Sequence, residues 1–381
     1  MLSFSIIGDK IMLKKIKEFI SKETVFCVAA GCAIATMFAV PPDKAYLHYI
    51  DFRVLCLLLC LMAVVAGLKA IGIFDWLTYQ LLHRINNGRA LSVTLILLPF
   101  FSSMFVTNDV SLIIFIPFTL TLLQQLGCSK SIIPVTVFQT IAANLGSMAT
   151  PVGNPQNLYL YTKFNIPNGE FIRIMLPPFA LAVAIITICC LFVKKEPLRL
   201  PDERVKMSKW RVVVYMILFA LSILIVFRGI PYFIGLIVIP LVLIFLDRKA
   251  LKDVDWALLF TFVFFFIFSG NMARIEVVRD LFSFLLSKNT LIVSILSCQI
   301  ISNVPSAILL SQFTANYPSL LVGVNIGGVG TLIASLASLI TFKEYVKYNP
   351  GGAGYYVKKF LAYNLAFLIA LTLIMSFILP N

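Results

Sequence analysis

Asparagine, serine, threonine and glycine gather at four points of a chain that is otherwise strongly apolar. Two of these points are longer segments: N-L-G-S-M-A-T-P-V-G-N-P-Q-N at Asn144–Asn157 and N-I-G-G-V-G-T-L-I-A-S-L-A-S at Asn325–Ser338. They align without gaps, so that Asn144 meets Asn325, Gly146 meets Gly327, Thr150 meets Thr331, Asn154 meets Ser335 and Asn157 meets Ser338. The other two are short. Thr107-Asn108-Asp109, preceded by Ser102 and Ser103, and Ser302-Asn303-Val304-Pro305 each interrupt a long apolar stretch. Carbonyl and hydroxyl oxygens are hard ligands for a small cation, and a helix that restarts after a break turns unpaired N–H groups toward an anion. Asn154 followed by Pro155 reads as such a restart, an N-cap and the first helical residue. The substrate- or ion-binding candidates are therefore Ser103, Thr107, Asn108 and Asp109 at the first tip, with Asn144, Thr150, Gly153, Asn154 and Asn157 at the first break. Their counterparts are Ser302 and Asn303 at the second tip, and Asn325, Gly330, Thr331 and Ser335 at the second break.

Such polar segments matter because of where they fall. With 381 residues, 60% hydrophobic and only 13% charged, the chain has apolar runs of spanning length and reads as an all-α polytopic membrane protein. An unpaired backbone group at membrane depth costs several kcal/mol, so unwound chain there lines a cavity or an ion path. The formal charge of +14 does not point to nucleic acid, because Lys and Arg sit in the connections between apolar runs, as positive-inside topology requires. Eight cysteines lie mostly within apolar runs and only two histidines are present, which indicates neither a disulfide frame nor a Cys/His metal site. Gly327-Gly328-Val329-Gly330 follows no strand and is not a dinucleotide fingerprint, and no Ser/His/Asp or H-E-x-x-H arrangement supports an enzyme. No cofactor is expected beyond sodium ions or protons as coupling ions.

The positioning elements are read from hydropathy and charge. Residues 1–23 are a basic lead-in on the cytoplasmic side, followed by spans at Thr24–Val40 and Phe52–Ala70 and an amphipathic stretch at Phe74–Ile85. Leu91–Leu126 is too long for one span and reads as a re-entrant hairpin with two arms of about 15 residues and its tip at Thr107–Asp109. Ile132–Tyr161 crosses through the first break, Phe171–Val193 returns, and Lys194–Lys209 is a strongly basic cytoplasmic loop. Trp210–Phe227 is an unpaired span that reverses the orientation of the second half. Spans at Ile230–Leu246 and Trp256–Met272, an interfacial stretch at Val277–Leu286, a second hairpin at Leu291–Tyr317, a broken span at Ser319–Phe342 and a final span at Phe360–Leu379 complete the chain. The domains are thus the lead-in, a first repeat over 24–193, the basic loop with the unpaired span over 194–229, and a second, inverted repeat over 230–381. Two broken transmembrane helices and two re-entrant hairpins in an inverted repeat mark a secondary transporter's binding site, with the N-terminus inside and the C-terminus outside. Taken singly, each feature has a plainer use, since Asn or Asp also caps helices and glycine also packs them closely.

The motifs T-N-D-V at 107–110, A-N-L-G-S-M-A-T-P-V-G-N-P-Q-N-L at 143–158 and S-N-V-P at 302–305 resemble the ion transporter superfamily of divalent-anion/sodium symporters, citrate transporters and arsenite permeases. The resemblance implies sodium sites at Thr107 and Asn108 and at Ser302 and Asn303, substrate between them, and a homodimer. Asp109 and Val304 stand where the carboxylate symporters have threonines. The expected function is a bacterial-type inner-membrane transporter of a small anion, coupled to sodium or protons by alternating access. An arsenite or oxyanion efflux permease, a cation/proton antiporter using Asp109 and an ion channel are the rival readings.

Overall fold

The computed structural model describes residues 20, 23–82, 85, 87–191 and 209–379. Most of the lead-in, Arg84, the basic loop 194–208 and Asn381 lie outside the described residues. Every regular element among them is helical. In the first part these are α1 (Thr24–Ala39), α2 (Phe52–Ala70), α3 (Ile73–Leu82), α4 (Gly88–Val106), α5 (Asn108–Gln125), α6 (Ser129–Gly146), α7 (Pro155–Lys163) and α8 (Asn168–Leu191). The second part has α9 (Lys209–Val226), α10 (Tyr232–Leu246), α11 (Trp256–Arg274), α12 (Glu276–Ile301), α13 (Asn303–Leu310), α14 (Tyr317–Gly327), α15 (Leu336–Tyr348) and α16 (Ala353–Ile378). Among the described residues, 8 helices are long and apolar enough to cross a membrane, while α1 and α10 are shorter apolar helices. The protein is a multi-pass membrane protein.

Polar residues at the helix ends set the boundaries. Asp51 accepts the Val54 N–H at 3.0 Å to start α2, Asn87 accepts that of Ala90 at 2.9 Å to start α4, and Asp255 accepts that of Leu258 at 2.9 Å to start α11. Each cap offsets the unpaired N–H groups of a first turn that would otherwise meet lipid headgroups or protein.

Several boundaries differ from expectation, each for a local reason. The first hairpin's arms are 19 and 18 residues long, longer than expected, because the chain reverses at the single residue Thr107 and spends nothing on a loop. The second hairpin is unequal: its return arm α13 has only 8 residues, and Ser311, Gln312, Thr314 and Asn316 then interrupt the apolar run. Within α12 the interfacial stretch and the incoming arm of that hairpin are separate helices, as expected: the backbone leaves the helical region at Asn289 (φ −162°, ψ 97°), whose side chain accepts the Ile292 N–H at 2.8 Å and caps the arm. In α3 the inward face is Phe74 and Thr78, whereas Trp76 and Leu77 are exposed. Finally, α16 begins at Ala353, so Lys358 and Lys359 ride on its first turns and are not in a loop.

Packing joins the two parts reciprocally. Within each part the broken helix lies against its own hairpin, α6 on α4 and α5, and α14 on α12 and α13. Across the parts, α5 packs against α15 and α13 packs against α7, so each hairpin's return arm meets the other part's restarted helix. Gln139, fully buried on α6, donates to the Leu95 carbonyl and to Thr119 Oγ1, both at 2.8 Å, and fastens both arms of the first hairpin to the broken helix.

Candidate functional site

Both tips reverse the chain through a residue in the left-handed region. Thr107 has φ 74° and Ser302 φ 76°. For a β-branched or hydroxyl side chain this backbone is strained by about 1–3 kcal/mol, and it persists only where neighbours over-determine it. The neighbour is the break of the same part. The Asn108 N–H donates to the Gly153 carbonyl at 3.1 Å, and the Asn303 N–H donates to the Ala334 carbonyl at 2.9 Å. Gly153 and Ala334 each stand one residue before an N-cap. Asn154 Oδ1 accepts the Asn157 N–H at 2.9 Å, and Ser335 Oγ accepts the Ser338 N–H at 3.2 Å, so both restarted helices are capped at the aligned positions. At each tip the asparagine Oδ1 also accepts the following N–H, that of Asp109 at 3.0 Å or Val304 at 2.9 Å.

The two breaks then meet each other. Asn144 Nδ2 donates to Ser335 Oγ at 3.1 Å, and Asn154 Nδ2 donates to Asn325 Oδ1 at 2.9 Å. The asparagine that ends one helix thus bonds the N-cap of the other part's restart, and the exchange is returned, as in a self-complementary contact. The network continues through Asn108 Nδ2 to Asn144 Oδ1 at 2.9 Å and Asn325 Nδ2 to Asn157 Oδ1 at 2.6 Å, and a separate bond between the parts runs from Thr140 Oγ1 to Thr341 Oγ1 at 2.8 Å. Asn108, Asn144, Asn154, Asn157, Asn303, Asn325 and Ser335 are all buried. Apart from Asn303, whose side chain bonds only within its own tip, these form a connected set that specifies one arrangement of the helices, and a missing member takes a partner from its neighbours.

Of the remaining candidates, Thr150 Oγ1 donates to the Met104 carbonyl and Thr331 Oγ1 donates to that of Gln299 at 3.2 Å, so both tie a break to the residue three before a tip. Gly330 has φ +139°, which excludes other residues there without strain. Asp109 is half-buried in the first turn of α5, and its Oδ1 has no hydrogen-bond partner. Ser302 Oγ donates to Asn303 Oδ1 and to the Ala334 carbonyl, each at 3.3 Å. Ser103 lies away from the tip. It donates to the Phe100 carbonyl at 2.9 Å and packs against Gly146, while Ser102 lines an apolar cavity of about 430 Å³ with Phe74 and Phe105.

Gln299 was not legible as a site residue. Its Nε2 donates to the Gly327 carbonyl at 2.7 Å and its Oε1 accepts the Thr331 N–H at 2.9 Å. Its only sequence signal is its place, three residues before the tip, where the first part has Met104. Gly146 owes its place to a close approach: a Cβ there would stand 2.2 Å from the Phe100 carbonyl oxygen, which is backbone and does not yield. Gly146→Ala is therefore expected to push α6 off α4 at a cost of about 1–3 kcal/mol. Fluorescence-detected size exclusion after heating would register it as a lower half-inactivation temperature, and an unchanged profile would contradict the close contact.

Chemically, the centre offers carbonyl and hydroxyl oxygens, amides and two capped helix N-termini, with Asp109 as the acid beside a tip. At the far end of α7, a cavity of about 380 Å³ is lined by His48, Asp51, Tyr159, Lys163 and Gln312.

The profile of the citrate transporter family matches residues 11–318. An uncharacterized transporter of Methanocaldococcus jannaschii is 33% identical over 83% of this chain and 87% of its own length. The inner membrane protein YbiR of Escherichia coli is 31% identical over 84% of this chain and 86% of its own length. A silicon efflux transporter of Oryza sativa is 29% identical over a shorter stretch, 43% of this chain and 34% of its own length.

Proposed function

The chain belongs to the citrate transporter family and is a membrane transporter, and from that premise we propose that it moves a small anion across the inner membrane by alternating access, coupled to a cation. The observation that carries this reading is the reciprocal pairing of the breaks, Asn144 with Ser335 and Asn325 with Asn154. Polar backbone from both parts converges at one buried place, which is how transporters with inverted repeats build a site that two outward and inward arrangements share. The hairpin tips supply oxygen ligands for a cation, and the cation offsets the repulsion an anion meets in a low-dielectric centre. Asn154 and Ser335 cap helices whose N-termini favour negative charge. Lys163, at the cavity beyond α7, gives an anion a positively charged approach. Two such chains pair in the bilayer.

A second reading has its own support. No Lys or Arg is among the central residues, and one relative is a silicon efflux transporter, which favours an uncharged oxyacid as substrate. The deciding experiment is a thermal-shift screen of purified protein with citrate, dicarboxylates, sulfate, phosphate, arsenite and silicic acid, with and without sodium, since a ligand of the folded state raises its stability by mass action. Flux of the hits is then measured in proteoliposomes. Saturable, gradient-dependent flux supports the transporter, and nonsaturable conductance with single-channel steps replaces it with a channel.

The topology in this proposal is equally exposed to test. A cysteine placed at Ser208 in a cysteine-free background is expected to react only with membrane-permeant reagent, because the basic loop faces the cytoplasm. Labelling from the periplasm would sink the inverted arrangement of the two parts.

A further inference from the structure

Away from the central network, a crevice of about 370 Å³ opens where α4 and α6 begin and α8 ends, with α16 as its fourth wall. Its polar groups have nothing to bond. Ser92, one turn into α4, is only 4% exposed, yet its hydroxyl has no hydrogen-bond partner among the described residues. Thr136 and Ser222 show the ordinary behaviour of such a residue inside a helix, donating to the carbonyl four positions back. A buried polar group left unpaired costs about 1–3 kcal/mol, and a ligand that accepts its proton removes that cost. The Lys130 ammonium and the hydroxyls of Ser131 and Tyr363 line the same crevice, also without side-chain partners among the described residues. No acid lines it among the described residues, so the donors and the positive charge face no carboxylate.

The rest of the wall is apolar. Ile96 lies one turn beyond Ser92 on α4, Val135 and Phe138 follow Lys130 along α6, and the Phe138 ring packs on Tyr363 with centroids 5.3 Å apart. From Lys130 to Phe138 the helix axis advances about 12 Å, which separates a charged mouth from an apolar depth. Beside the crevice, Ile188 and Leu191 of α8 and Leu365 of α16 are exposed, so its outer side is the lipid-facing surface. Basic crevices between spanning helices at the cytoplasmic face suit phospholipid headgroups.

We propose that this crevice holds one anionic phospholipid, its phosphate on Lys130, Ser131 and Ser92 and one acyl chain along Ile96, Val135 and Phe138. The acceptors of the headgroup satisfy the unpaired hydroxyls, and the chain covers the apolar wall. A lipid seated there bridges α4 and α6, which lead to the first tip and the first break, to the lipid-facing α8 and α16. The site is independent of what the protein transports. Only its leaflet, the cytoplasmic one, follows from the proposed topology.

The test is native mass spectrometry of the full-length protein, stripped of lipid by detergent exchange and titrated with dioleoylphosphatidylglycerol or dioleoylphosphatidylcholine. One phosphatidylglycerol per chain is expected to saturate the protein at least ~5-fold more tightly than phosphatidylcholine, whose phosphate is neutralised by its own choline. Lys130→Gln should remove that preference, and Ser92→Ala should weaken phosphatidylglycerol ~10-fold, since a hydrogen bond to a charged group is lost. Both variants should unfold at the temperature of the unaltered protein when no lipid is present. Should either fail to fold, the comparison of the two lipids on the unaltered protein decides. Equal retention of the two lipids, or a variant that folds and binds phosphatidylglycerol as before, reduces the lipid to an ordinary member of the bilayer and overturns the proposal. Inorganic phosphate is the remaining arm: if it raises the unfolding temperature and displaces the bound lipid, the crevice takes a free anion and the phospholipid assignment fails. None of these readouts involves flux, so they leave the transport reading untouched.

Discussion

Asn325→Ala is expected to abolish substrate flux and to destabilise the protein by about 3 kcal/mol, because each buried polar group left unpaired costs about 1–3 kcal/mol. Removing this one amide leaves Asn154 Nδ2 without the acceptor it holds at 2.9 Å and Asn157 Oδ1 without the donor it meets at 2.6 Å. Both residues belong to the restart of the other part, at its N-cap and its first turn. The damage therefore appears in α7 although the substitution is on α14. Cysteine accessibility at positions along α7 should rise in the variant, and proteoliposome flux should fall to background. Asn144→Ala should do the same to α15 through Ser335, whose hydroxyl it contacts at 3.1 Å. A variant with normal flux and an unmoved α7 would show that the central amides only pack the helices. Asn325→Asp separates charge from shape: it keeps an acceptor for Asn154 but loses the donation to Asn157, so partial stability with lost transport is the expected pattern.

The breaks and tips were legible because lipid makes polar backbone expensive, so any such segment in an apolar run carries information whatever its neighbours are. Asn154-Pro155 announced a helix start through two residues whose preferences are local, and the cap on Asn157 N–H bears that out. The gapless alignment set Ser335 opposite Asn154, but that Ser335 also caps a restarted helix is seen only in the structure. What sequence could not show was anything set by a distant partner. Gln299 is one amide in an apolar helix, and its role depends on Gly327 and Thr331 lying beside it in space. Ser102 and Ser103 sit a turn before the tip and are equivalent in one dimension, yet one faces a lateral cavity and the other the α4–α6 contact. The single-residue reversal at Thr107 was also hidden, since a threonine with positive φ runs against its own preference and is imposed by the surrounding structure.

Asp109→Asn has the other large expected effect: a loss of sodium activation of at least ~10-fold in half-saturating concentration with the pH profile of flux nearly unchanged, since a neutral amide keeps an oxygen ligand but removes the charge that holds a hard cation. Folding should survive. The carboxylate makes no cap bond that the amide would have to replace, because the first N–H of α5 beyond Asn108 is already taken by Asn108 Oδ1 and the Asp109 Oδ1 has no partner. The opposite pattern is equally clear in measurement. If Asp109 carries a proton through the cycle, Asp109→Asn removes the pH dependence of net transport and retains substrate exchange, because the amide mimics the protonated acid and releases nothing. Flux with unaltered sodium and pH dependence in the variant would exclude both roles and leave the side chain as a bystander at the start of α5.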